Sequence, residues 1–214
     1  LAASKALNRY GVTSSQTDDL LAFNNVPYER VLEAYRELDA EGRMTVRVYE
    51  QSQFTTLDGL KAFVKKGYNT GWGNHWFKIG PLKMLGDGSL GARSAYLSQP
   101  YTDDGSTRGI PIFTRQQFED MVEYADSQGM QVAIHAIGDG ILDDILAAYE
   151  KALARHPGKD HRHGIVHCQI TRPDQLDTFA KLSLHAYFQS IFLDYDIHIV
   201  EERIGKERAA SSYH

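Results

Sequence analysis

The chain has 214 residues, 42% of them hydrophobic, enough for one sizeable core in a single domain spanning 1–214. A formal net charge of −5 argues against a nucleic-acid groove or an acidic membrane surface. The single cysteine, Cys168, excludes an internal disulfide and fits a reducing, cytoplasmic setting, and no apolar run reaches the roughly 18 residues of a membrane span.

"LAASKALNRYG" reads as a helix closed by Gly11, and "VTSSQ" (12–16) as a short strand. Residues 28–41 place Val31, Leu32, Tyr35 and Leu38 on one helical face, ended by Gly42. "MTVRVYE" (44–50) alternates like a strand, "TLDGLKAFVKKG" follows as a helix, and "WFKIGPLKML" (76–85) is the next strand, with Pro81 weakening its first half. A long glycine- and polar-rich segment runs from Gly86 to about Phe113, a length that inside a compact domain marks a functional or a disordered loop. Thr114 and Gln117 form a capping box before a helix that buries Phe118, Met121, Val122 and Ala125. "MQVAIH" is a strand, 141–155 a helix aligning Ile141, Ile145 and Tyr149, "HGIVHC" a strand, 173–182 a helix and "LHAYFQS" a strand.

Alternating strands and helices around one core predict an α/β fold with a parallel sheet covered by helices. About six strand signals suggest a partial (β/α)8 TIM barrel of five or six βα units. A doubly wound open sheet competes, but no G-x-G-x-x-G follows an early strand.

His135 in "QVAIHAIGDG" and His167 in "HGIVHCQ" each end a buried strand, and in α/β barrels that end carries the active site. Neutral imidazole is the commonest ligand of zinc-type metals, so two on successive strands point to a metal. The plainer alternative is that each only hydrogen-bonds a loop. Lys83 interrupts the apolar strand "PLKML", and a buried ammonium is costly unless paired or neutralised. It could form a Schiff base, react with carbon dioxide to give a metal-bridging carbamate, or snorkel to water.

"HRH" (161–163) imitates a metal pair. By alternation, however, His163 shares a face with His167 about 13 Å below it, at the barrel floor, and His161 precedes the strand, so both read as structural or exposed. Ser89 lies in no G-x-S-x-G elbow, and Cys168 should point away from His167 as a buried thiol. Asp87 and Arg93, in the loop after the Lys83 strand, are expected in the substrate pocket. His75, His185 and His198 have no recognisable partners in the sequence.

Together, "PLKMLGDGSLGARSA", "VAIHAIGDG" and "RHGIVHCQ" resemble the amidohydrolase superfamily, in its metal-dependent hydrolase branch that includes N-substituted formamide deformylases. The resemblance runs through nearly the whole chain, and the order and spacing of three motifs make it specific. It implies a (β/α)8 barrel with one or two divalent ions, zinc being the expected metal. It also implies that Lys83 is the strand-four lysine, often carboxylated, and that His135 and His167 are the strand-five and strand-six ligands.

The chain departs from the family in three places. The H-x-H of strand one is absent, the strand-eight aspartate that serves as general base would lie beyond the last residue, and "R-H-R-I-E-H" on strand six is here "RHGIVH". The expectation is therefore an internal fragment, lacking first and last barrel strands, of an enzyme that hydrolyses a non-peptide carbon–nitrogen bond in a small amide-like substrate. By itself it should be inactive, and its exposed sheet edges could pair with another copy. A Schiff-base lyase using Lys83, or a non-catalytic barrel binding module, remains the alternative.

Overall fold

A computed structural model describes residues 1–21, 26–157, 160–210 and 212. They group into two compact units, Leu1–Lys83 with Gln128–Gln131, and Met84–Ser127 with Val132–His214.

In the first unit, α1 (Ala2–Arg9) leads to β1 (Ser14–Thr17), a 3-10 turn at Asp19–Leu21 and α2 (Tyr28–Ala40). Then follow β2 (Arg47–Gln53), α3 (Leu57–Lys65) and β3 (Phe77–Leu85), whose last two residues belong to the second unit. Gly11 adopts φ +74° directly after α1, a conformation that costs glycine no steric strain. Thr56 caps α3 by accepting a hydrogen bond from the Gly59 N–H at 3.2 Å. Tyr35 of α2 stacks on Phe77 at 4.7 Å between centroids, which fixes the helix-covered face of these strands.

β1 and β2 pair in parallel, as do β2 and β3. The β2–β3 register shifts between Glu50↔Ile79 and Ser52↔Leu82, so that Gly80 and Pro81 together face Gln51. This bulge answers the objection that Pro81 raises against a strand: the residue without an N–H is the one the ladder leaves out. Beyond the bulge, Lys83 pairs with Gln53.

The second unit contains α4 (Arg115–Ser127), β4 (Val132–Ala136), α5 (Asp139–Arg155), β5 (Gly164–His167), α6 (Pro173–Leu182), β6 (His185–Tyr187), α7 (Phe192–Asp196) and α8 (Val200–Ala210). The capping box before α4 is present: the Thr114 N–H donates to Gln117 Oε1 at 2.8 Å, and the Gln117 N–H donates to Thr114 Oγ1 at 3.3 Å. Phe118, Val122 and Ala125 of α4 and Ile141, Ile145 and Tyr149 of α5 are fully buried, together with Val132 and Ile134 of β4. β4–β5 and β5–β6 are parallel pairs. Gly164 permits the second: a Cβ there would lie 2.4 Å from the His185 carbonyl oxygen.

The segment after β3 is a packed structure, neither extended nor empty of side-chain contacts. Leu90, Ala95, Leu97 and Tyr101 form a buried cluster with Ile137, Ile170, Val200 and Ile204. The Tyr101 hydroxyl donates to the Ala95 carbonyl at 2.8 Å, so its buried polar end is satisfied.

The strands follow the order β1-β2-β3-β4-β5-β6. Parallel strands in sequential order, joined through helices, are the arrangement of a (β/α)8 barrel; a doubly wound sheet would reverse its order at a switch point. The fold is thus α/β and consists of six strands of a partial barrel. No helix among the described residues is long and apolar enough to cross a membrane.

Candidate metal centre

His135 lies one residue before the end of β4, and His167 ends β5, its parallel neighbour. Their rings meet at 4.6 Å between centroids, inclined at 82°. His135 Nε2 lies 2.9 Å from the Gly88 carbonyl oxygen and 3.3 Å from Asp87 Oδ1. Both neighbours accept, so Nε2 carries a proton, and in the neutral ring the lone pair is on Nδ1. His167 Nδ1 donates to Gln189 Oε1 at 2.7 Å, which leaves the lone pair on Nε2. The His167 ring also stacks on Phe192 at 5.1 Å.

Simple alternation does not produce this meeting. His163 lies on the helix side of the sheet, stacked on Tyr149 of α5 at 5.4 Å and donating from Nε2 to Asp126 of α4 at 3.1 Å. The expected place at the barrel floor is therefore corrected, although the structural role stands. His163 Nδ1 accepts the Val132 N–H at 3.0 Å, so the buried ring ties α4, β4 and β5 together. Continued alternation would send His167 to the same helix side. Instead His167 and Cys168 adopt φ +75° and +51°, and the turned backbone brings the imidazole to His135. Left-handed conformations cost non-glycine residues about 1 kcal/mol or more each, and such strain gathers at functional sites.

Asp87 has a fully buried side chain. Its Oδ2 accepts the Tyr96 and Gly138 N–H groups, each at 2.8 Å, and its Oδ1 accepts the Ile137 N–H at 3.0 Å. Arg93, the other residue expected in the substrate pocket, pairs with Asp103 through Nε at 3.2 Å and through a second nitrogen at 2.6 Å, and keeps 35% of its side chain exposed. Burial pushes the Cys168 thiol up to about 12, so it is inert as a nucleophile at neutral pH.

Lys83 belongs to the first unit. It is buried, with its Nζ 3.8 Å from Asp18 Oδ2. Burial lowers its pKa, and the Asp18 carboxylate opposes that shift. Nearby, Glu50 is wholly buried with neither carboxyl oxygen hydrogen-bonded, and desolvation, reinforced by Asp19, raises its pKa to about 9. Asp19 itself accepts the Tyr35 hydroxyl at 2.5 Å.

Sequence reasoning passed over Asp18, Glu50, Gln189 and Phe192. Asp18 directly follows β1 and Gln189 lies just past β6, so the strand-end rule that selected the histidines reaches both. Glu50 carried a different signal, an acid in a strand position that alternation turns toward the helices.

As a donor set, two adjacent imidazoles, each with one nitrogen engaged by an acceptor and the other bearing a lone pair, fit a zinc-type ion. Among the described residues no group of three His, Cys, Asp or Glu side chains could hold a metal.

The sequence pattern of the Amidohydrolase family matches residues 1–214. The chain belongs to this family. Among relatives, it is 29% identical to "Putative amidohydrolase YtcJ" of Bacillus subtilis (strain 168), over 95% of this chain and 36% of that protein. Among solved structures, an uncharacterized metal-dependent hydrolase from Pyrococcus furiosus aligns with a TM-score of 0.84 and 30% identity, covering 99% of this amidohydrolase chain and 41% of the other. One from Pyrococcus horikoshii OT3 aligns with a TM-score of 0.83 and 32% identity, covering 99% and 40%. The chain thus spans well under half the length of these relatives.

Proposed function

We propose that this amidohydrolase chain is part of a metal-dependent hydrolase that cleaves a carbon–nitrogen bond, other than a peptide bond, in a small amide-like molecule. The observation that carries the reading is the approach of His135 and His167 to 4.6 Å with their proton-bearing nitrogens engaged by acceptors. These two residues would hold a divalent ion, zinc being the ion that imidazole suits. When bound, such an ion supplies a Lewis acid that polarises a carbonyl and lowers the pKa of water. Lys83, carboxylated, is assigned as a further ligand from its motif "PLKMLGDGS" and from the burial that favours its neutral amine. Arg93, anchored on Asp103 and partly exposed, is the candidate for a substrate contact.

The family membership and the likeness to metal-dependent hydrolases of Pyrococcus support hydrolysis with a metal. The narrower placement beside N-substituted formamide deformylases rests on the three motifs alone. Residues 1–214 by themselves are expected to be inactive, since among the described residues no third His, Cys, Asp or Glu is placed to hold a metal together with His135 and His167.

The test is elemental analysis of the full-length protein, followed by assays on N-formyl and other amide substrates before and after chelation. Stoichiometric zinc, with turnover lost on chelation and restored by zinc, is the expected result. A metal-free protein with full amide turnover would refute the reading.

A further inference from the structure

We propose that Asp87 is a positioning residue, whose buried carboxylate, with the Gly88 carbonyl, holds His135 in the tautomer that carries its proton on Nε2. The inference rests on the metal-centre reading for its purpose, but the tautomer itself can be measured without metal.

The motif "GDGS" explains how the sequence builds this device. Gly86, directly after β3, lies against β4, its N–H donating to the His135 carbonyl oxygen at 2.9 Å. The next residue is thereby delivered beneath the His135 side chain. Asp87 turns inward and meets N–H donors on both of its oxygens: Tyr96 from the long loop, and Ile137 and Gly138 from the turn after β4. A carboxylate so surrounded acts only as an acceptor, and the side of His135 that faces Oδ1 at 3.3 Å must present an N–H.

Gly88 supplies the second acceptor. Its N–H donates to the Ser94 carbonyl at 3.1 Å, and a Cβ on it would lie 2.2 Å from Ser94 Oγ, so the turn fixes where the Gly88 carbonyl points. That carbonyl is the one 2.9 Å from His135 Nε2. Two acceptors from consecutive residues thus converge on one ring nitrogen, and of the two neutral tautomers they favour the one with its lone pair on Nδ1. Asp87 is sealed from solvent, so it acts through His135 and does not touch a substrate.

Asp87→Asn separates this role from that of a loop staple. Asn can put its single oxygen at only one of the two carboxylate positions. At the Oδ2 position it keeps the Tyr96 and Gly138 bonds, and its NH2 group then confronts His135 Nε2. The His135 Nε2 proton then keeps only the Gly88 carbonyl as acceptor, and the imidazole is expected to populate the Nδ1-protonated form as well. Tyr101→Phe is the control, because it removes the Tyr101–Ala95 hydrogen bond from the same loop without touching His135.

The experiment uses full-length protein labelled with 15N-histidine, assigned through a His135→Gln variant, with zinc sulfate as the metal probe. Wild-type and Tyr101→Phe proteins should show metal-free His135 protonated on Nε2. Asp87→Asn should show a larger Nδ1-protonated population than wild type and bind zinc about 10- to 100-fold more weakly. Wild-type His135 protonated on Nδ1 would overturn the proposal even if no variant folds. So would an unchanged tautomer in Asp87→Asn, or an equal loss of zinc affinity in Tyr101→Phe. A wild type with the Nε2 proton that binds no zinc would sink the metal centre and leave the positioning intact.

Discussion

A Cβ placed on Gly86 would lie 2.5 Å from the backbone oxygen of His135, the oxygen that accepts the Gly86 N–H at 2.9 Å. Ile145 and Ile141 would stand 3.0 and 3.1 Å from the same atom, so the end of β3 approaches β4 as closely as a backbone without a side chain allows. Gly86→Ala should therefore destabilise the protein by about 1–3 kcal/mol through overpacking. It should also displace His135 and weaken zinc binding. Chemical denaturation and zinc titration check both effects, and a variant as stable as wild type would mean that the strands separate easily here.

His135 and His167, in β4 and β5, and His163, just before β5, should divide cleanly. His135→Ala and His167→Ala are expected to abolish stoichiometric zinc while leaving the unfolding midpoint of the metal-free protein nearly unchanged. His163→Ala should do the reverse, costing about 3 kcal/mol by leaving the buried Asp126 carboxylate without its imidazole partner. Elemental analysis and unfolding of the same preparations decide it. Zinc lost on His163→Ala in a folded protein would contradict the division.

Glu50 makes the pH dependence asymmetric. Burial, reinforced by the Asp19 carboxylate, raises its pKa from 4.5 to about 9, while the Leu20 and Asp19 backbone N–H groups offset part of the shift. Between these values the folded chain holds a proton that the unfolded chain has released. The Glu50 contribution to stability is therefore greatest below the unfolded pKa, falls as pH rises through the window and levels off above about 9. The slope cannot exceed ~1.4 kcal/mol per pH unit. Glu50→Gln should gain on the wild type steadily as pH rises, as read from denaturation midpoints across the window. Parallel curves for the two proteins would show that Glu50 stays ionised when folded.

Lys83 offers a chemical readout. Its pKa is lowered by burial, so more neutral amine is present at a given pH than for an exposed lysine. The amine nitrogen can attack carbon dioxide and lose one proton, giving an anionic carbamate. Full-length protein equilibrated with 13C-bicarbonate should show a carbamate resonance that disappears in Lys83→Met, along with part of the bound metal. Borohydride trapping of a carbonyl substrate on Lys83, with no carbamate signal, would favour Schiff-base chemistry instead.

Much of the protein was legible from its residues, because the strongest signals are local. Apolar periods of two and 3.6 located all six strands and most helices, since each element buries one face whatever its partners. The Thr114–Gln117 capping box was readable for the same reason, as donor and acceptor are three residues apart. His135 stood out because the residue at a strand end is determined by where the apolar run stops. The boundary of β2 was harder: the pattern pointed to 44–50, and the strand runs Arg47–Gln53 because pairing with β1 and β3, not the apolar run, sets its ends.

Only the tertiary structure could decide which neighbours the functional side chains meet. Period-two reasoning put His163 and His167 on one face, and the left-handed backbone at His167 breaks that period. Backbone sign at a non-glycine residue is chosen by surrounding contacts, here Gln189 and the Phe192 ring from beyond the next strand, so no local pattern announces it. Asp87 shows the same limit. "GDGS" looks like any turn, until N–H groups 9, 50 and 51 residues away converge on one carboxylate. The sequence alone located the strands and most of the helices and singled out candidate residues for the chemistry. Long-range packing decided how those residues are oriented, because hydrogen-bond partners distant in the chain become neighbours only when the strands and loops have closed around them.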